Sequence, residues 1–165
     1  MSNQTSVELS IDKATPGLVA DIHGGNKIIS AAVESAVIAF GIVVSRGTDA
    51  NEQAVLGGDA TGILGVSVRE LGREAPSIGS LVSQYVLEEN MAVMQEGYIY
   101  ATCVDGCTAG DTPKFVNATG ALGAGAAAAG ETSLDNWEWM ETAGAAEVAK
   151  LRVDGLRAGD LTAGS

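Results

Sequence analysis

The chain has 165 residues, with nine basic against 21 acidic side chains, one histidine, two cysteines, 22 glycines, three prolines and seven aromatic residues. That length allows one hydrophobic core with arms or a satellite lobe, and glycine at about twice its ordinary share of roughly 7% leaves little room for helices of ordinary length. A net charge of −12, spread along the chain, argues against nucleic acid as a partner, because a phosphate backbone binds Lys and Arg. No run of 18 apolar residues occurs, and Met1–Ser6 carries neither a basic nor an apolar targeting region, so no membrane contact is expected and synthesis is placed in a cytoplasm.

Ser6–Asp12 alternates polar and apolar residues, which sets Val7, Leu9 and Ile11 on one face of an extended strand. Residues 1–14 are therefore expected to form an N-terminal arm, 15–154 a single body, and 155–165 a flexible tail. Thr15-Pro16-Gly17 reads as a turn, and the short run Leu18–Ile22 ends at a second turn, His23-Gly24-Gly25-Asn26. Within Lys27–Val33, Ile28, Ala31 and Ala32 fall at helical spacing, but the β-branched residues favour a strand.

The centre of the chain is Ala36–Glu70. Ala36–Gly47 and Gly62–Glu70 are two β-branched, glycine-punctuated apolar runs, each a strand with at least one buried face, separated by a weaker strand at Gln53–Leu56. Residues 71–80 read as a surface loop. Strands follow at Leu81–Leu87, Met91–Gln95 and Gly97–Val104, the last with Ile99, Ala101 and Cys103 inward and Tyr98, Tyr100 and Thr102 outward. Pro113–Val116 is the next strand. Ala121–Gly130 is nearly all alanine and glycine and reads as a flexible loop with little volume for a core. Asn136–Thr142 alternates in bulk, and in Glu147–Val153 the residues Val148, Leu151 and Val153 suit a closing strand. Short strands with turn signals about every ten residues are the pattern of a sandwich or barrel.

The residues that chemistry needs do not assemble in this pattern. His23, the sole histidine, lies between turns, and no Gly-x-Ser-x-Gly elbow accompanies it. Cys103 and Cys107 have three residues between them, one more than a redox or zinc-knuckle pair, and with one histidine they fall short of a four-ligand site; they read as structural thiols. Gly123–Ala128 fits a dinucleotide-loop spacing without the strand and ribose-binding acid that such a loop requires. Glu88-Glu89 and Glu138 with Glu141 are acid pairs of the kind expected by chance among 21 acids. No catalytic residue, metal site or cofactor is therefore expected.

Several segments together resemble the structural cement, or capsid decoration, proteins of tailed bacteriophage heads. They are Ile38-Ala39-Phe40-Gly41 leading to Arg46-Gly47, the Gly65-Val66 step after Ile63-Leu64, Gln95–Ala101, Ala109-Gly110-Asp111-Thr112-Pro113, and Trp139–Leu151. In order and spacing they cover roughly Thr15 to Val153, and the chain departs from the pattern at the Cys103–Cys107 turn and in the segment after Gly120.

The resemblance implies an all-β, jelly-roll-like β-sandwich with an extended N-terminal arm and glycine-rich loops. It further implies no enzymatic activity, self-association as a dimer or trimer, and attachment to the outer face of a capsid built from a separate major capsid protein. The expected capsid or subunit contacts are Val7, Leu9 and Ile11 on the arm, with Trp137 and Trp139 as either anchors or core. A β-sandwich module for glycans or host surfaces, using Tyr98, Tyr100 and the tryptophans by ring stacking, is the alternative.

Overall fold

The computed structural model describes residues 14–21, 25–58, 62–70, 84–155 and 161–164. Among these residues it contains thirteen β-strands and no helix. The arm residues Val7, Leu9 and Ile11, and His23, lie outside the described residues.

One long strand organises the molecule. Asn90–Cys103 is continuous over 14 residues, where the sequence suggests two strands on either side of Glu96. It stays continuous through a bulge at Gln95, the extra residue where Lys27 pairs with Glu96 but Ile28 with Met94, and Gly97 just beyond it has φ +134°. A bulge reverses which residues face which side. Before it, Met91 and Val93 face one core and Met94 the other; after it, the inward set is Ile99, Ala101 and Cys103.

The earlier strands are β1 (Lys27–Val33), β2 (Ile38–Ala39), β3 (Val43–Arg46), β4 (Gln53–Leu56), β5 (Ile63–Ser67) and β6 (Gln84–Tyr85); the long strand is β7. β1 is a strand, as its β-branched residues favour, with both edges in use. It runs parallel to β4 and antiparallel to the first half of β7. Since β4 pairs with β3, β3 with β5 and β5 with β7, these five strands close into a ring with no free edge between them. The ring encloses Ala31, Val33, Val44, Ala54, Leu64, Met91 and Val93, to which the separate β2–β6 ribbon adds Ile38, Phe40 and Tyr85.

The opposite faces of β3, β5 and β7 are buried too. Val43, Ile63, Val66 and Met94 point away from the ring into a second core with Ile99, Phe115, Leu122, Leu134, Trp139 and Leu151. That double burial is why β5 is buried at every position and why Ala36–Glu70 is so apolar. The second core is walled by the rest of β7, β8 (Pro113–Val116), β9 (Leu122–Ala124), β10 (Glu131–Leu134), β11 (Glu138–Trp139), β12 (Glu147–Val153) and β13 (Leu161–Ala163). β12 pairs with the second half of β7, and β9, β8, β10 and β13 continue the sheet.

Four expectations change. The all-β class holds, but eleven strands form one hydrogen-bonded sheet and not the two separate sheets of a jelly roll, because β7 is shared by both halves. Ala36–Gly47 is not one strand; it breaks at Phe40-Gly41 into β2 and β3. The alanine-glycine segment is not wholly a loop: Leu122 brings core volume, and Gly123 lets a neighbouring indole and carboxylate approach its backbone, so 122–124 is a strand. Leu161–Ala163, within the expected tail, pairs with β10. In β12 the inward set is Ala149, Leu151 and Val153; Val148 cannot share a face with Leu151 three residues away on a strand.

Candidate interaction surface

The Phe40-Gly41 turn is held by one buried hydroxyl. Ser67 Oγ donates to Ala39 O at 2.7 Å and accepts from Ile42 N at 3.1 Å, while Gly41 N donates to Ser67 O and Ser67 N to Ile42 O, each at 2.9 Å. Gly41 has φ +75°, and a Cβ there would stand 2.8 Å from Gly17 N, so the turn accepts no side chain at that position. Phe40 packs edge-on against Tyr85 with ring centroids 5.1 Å apart, and the Arg69 guanidinium lies 5.6 Å from the Phe40 centroid. The Tyr85 hydroxyl donates to Val68 O and accepts from Ala92 N. The β2–β6 ribbon is thereby fixed to the ring.

The outer end of that ribbon is apolar. Ile38 pairs with Tyr85, which sets Val37 across from Val86, and Val37, Val86 and Leu87 are 51%, 44% and 52% exposed. Residues 86–89 form a tight turn: Glu89 N donates to Val86 O, Val86 N to Glu89 Oε2 at 3.0 Å, and Glu88 sits at φ +64°. Turns ordinarily carry polar or glycine residues. Here two large aliphatic side chains are presented by a left-handed non-glycine turn that ends directly in β7. Sequence reasoning assigned Val86 and Leu87 to a strand; the signal for a turn was the polar run Glu88-Glu89-Asn90 behind them.

A second apolar feature is a cleft of about 480 Å³ lined by the Thr15–Pro16 segment, the Phe40-Gly41 turn, Thr102 of β7 and Leu122 of β9. Phe40, Ile42 and Leu122 line it, Val104 stands at its wall, and Arg69 is the one charged residue among its described lining.

The tryptophans, for which core and interface stand open in the sequence, are both core. Trp139 is fully buried, its Nε1–H donating to Gly123 O at 3.0 Å, and Trp137 is 2% exposed, its Nε1–H donating to Asp154 O at 2.8 Å. Neither ring offers a surface to a partner. Tyr98 is half-buried with Lys150 Nζ 5.0 Å from its ring centroid, and Tyr100 is half-buried beside Met140. The ring-stacking set of the glycan alternative is thus mostly covered.

The acids serve the fold. Glu138 pairs with Arg152 at 3.2 Å, Glu141 accepts from Lys150 N, and Glu89 closes its turn. Lys114 joins Glu131 at 3.0 Å and Asp105 at 3.2 Å, tying β8 to β10 and to the turn after β7; the Glu131 contact, foremost, holds the ammonium above its ordinary value. Cys103 and Cys107 are buried thiols, and burial, then the neighbouring Cys107, pushes Cys103 up to about 12. Among the described residues no three His, Cys, Asp or Glu side chains gather as a metal ion requires.

The molecule is a closed strand ring joined to a second β half, with Glu131, Glu138 and Asp105 in ion pairs between its elements and aliphatic side chains on its open surface. The chain matches the family of structural cement proteins (E217 gp24/Pam3 gp6) over residues 3–154, and it belongs to that family, among the structural components of phage particles. Among solved structures, a chain of "The capsid of Myoviridae Phage XM1" superposes with a TM-score of 0.71 at 16% identity, covering 93% of this chain and 98% of that one, which bears on the fold. No curated protein matches the chain.

Proposed function

We propose that this protein binds the outer surface of a phage head and cements adjacent major capsid protein subunits, acting as a non-enzymatic homo-oligomer. Family membership over residues 3–154 is the observation that carries this reading. A net charge of −12 supports the outer face, since the interior of a filled head is packed with phosphate. The aliphatic turn of Val86 and Leu87, with Val37 across from it, supplies a contact of the fully desolvating kind that dominates interface energies. The arm residues Val7, Leu9 and Ile11 remain proposed contacts, by strand addition to a neighbour.

A protein that binds the expanded lattice and not its precursor stabilises the former by RT ln(1 + [L]/Kd), about 2.7 kcal/mol per site at a hundredfold excess over Kd. Summed over a shell, modest sites suffice. Heads with and without the protein are heated or treated with chelator, and DNA release is followed: decorated heads are expected to retain DNA to higher temperature. Equal release from both preparations would refute the reading.

A further inference from the structure

The cleft beside Pro16 is an open apolar surface next to the point where the described chain begins. At about 480 Å³ it falls within the range of cavities that hold ligands, roughly 300–1,000 Å³, and leaving such a surface in water is unfavourable. Thirteen residues precede Ala14. At about 3.3 Å per residue an extended segment of that length reaches roughly 43 Å, enough to cross to a neighbouring molecule.

The chemistry of that segment complements the cleft. Extended, it would present Val7, Leu9 and Ile11 as one apolar row, with Glu8 and Asp12 on the other face toward solvent, while the cleft is apolar with Arg69 as the one charged residue of its described lining. The path of the chain argues against the molecule's own arm as the occupant. Among the described residues, Ala14 lies in a different recess, beside Tyr100 and Met140, and Thr15 and Pro16 are the first to line the cleft. To fill its own cleft the arm would have to reverse within the few residues between Ile11 and Thr15.

We propose that residues 6–12 of one copy dock in this cleft of a second copy, so that the protein associates by exchange of arms. This rests on reading Ser6–Asp12 as an extended arm and not on attachment to a capsid.

The test uses full-length protein and solution mass from light scattering over a range of concentrations, with circular dichroism to check folding. Leu9→Asp removes the arm's apolar row and leaves the cleft. Ala121→Phe fills the cleft and leaves the arm; Val104→Asp, at a 41% exposed wall position, instead sets a carboxylate in the apolar wall, with less risk to the fold. The wild type is expected at a multiple of 16.6 kDa and each folded variant at 16.6 kDa, with association weakened at least tenfold. An equimolar mixture of Leu9→Asp and a folded cleft variant should regain a mass of at least two chains, because one carries the intact cleft and the other the intact arm. A wild type at 16.6 kDa, cleft variants at the wild-type mass, or a mixture that stays at 16.6 kDa overturns the proposal. Co-sedimentation of the same variants with undecorated heads is scored separately, so loss of self-association and loss of capsid attachment are told apart.

Discussion

Single buried polar atoms decide much of this fold, in opposite directions. Ser67 Oγ satisfies two backbone groups of the Phe40-Gly41 turn, so Ser67→Ala strands a buried N–H and a carbonyl and should cost about 1–3 kcal/mol in denaturant unfolding. Ser45 is also buried, but its hydroxyl has no partner among the described residues; Ser45→Ala should be neutral or stabilising in the same experiment. Trp139→Phe keeps an aromatic ring and removes the donor to Gly123 O, for an expected loss of about 1–3 kcal/mol with head binding by the folded protein unchanged, as befits a core residue. Reduced binding at unchanged stability would return that ring to an interface.

At the level of elements, the bulged strands are the sensitive ones. A Cβ at Gly65 would lie 2.1 Å from Met94 O, so Gly65→Ala forces β5 away from β7 and should destabilise by about 1–3 kcal/mol or more, read as a lower melting temperature. This glycine, Gly41 and Ser67 lie in or beside the segments that carried the family resemblance in the sequence, and the structure gives the reason: Gly65 is where strands cross too closely for a side chain, Gly41 is where a turn needs a positive φ, and the Ser67 hydroxyl holds that turn. Strand identity was legible wherever β-branched residues ran together, as in β1, β3, β5 and β12. What stayed hidden depended on partners distant in sequence. β10 is short and mostly polar and β13 is only three residues long; they are strands because they pair with β8 and with each other. The closure of the ring rests on a parallel contact between β1 and β4 that no local pattern announces. The aliphatic turn at Val86 and Leu87 was hidden for a related reason, since apolar residues before a polar run read equally well as a strand end.

For the whole molecule, stability should be bounded on both sides of neutral pH. The Thr48 hydroxyl, and then its N–H, hold the Glu34 carboxyl below its ordinary value, as the Ala128 N–H and then Lys114 hold Glu131. A lowered carboxyl favours the folded state above the ordinary carboxylate range, and that contribution is lost as pH falls through the lowered value. Cys103 behaves in the reverse sense. Its raised thiol favours the fold fully below the unfolded value near 9, and the contribution drains away as pH rises toward about 12. Melting temperature against pH should therefore fall at both ends, and Cys103→Ala should flatten the alkaline limb; an unchanged limb in that variant would show that the thiol has no part in it. The long strand has a further, mechanical consequence. β7 starts at the aliphatic turn and extends over about 45 Å of strand, paired along its first half with β1 and along its second with β12, while β5 and β9 join it at short contacts. A pull between its ends loads its ladders in shear, where many hydrogen bonds must give way together, while a pull across the sheet would peel them one at a time. A tether that resists stretching along one axis and yields along another is suited to a shell whose tension lies in its own surface.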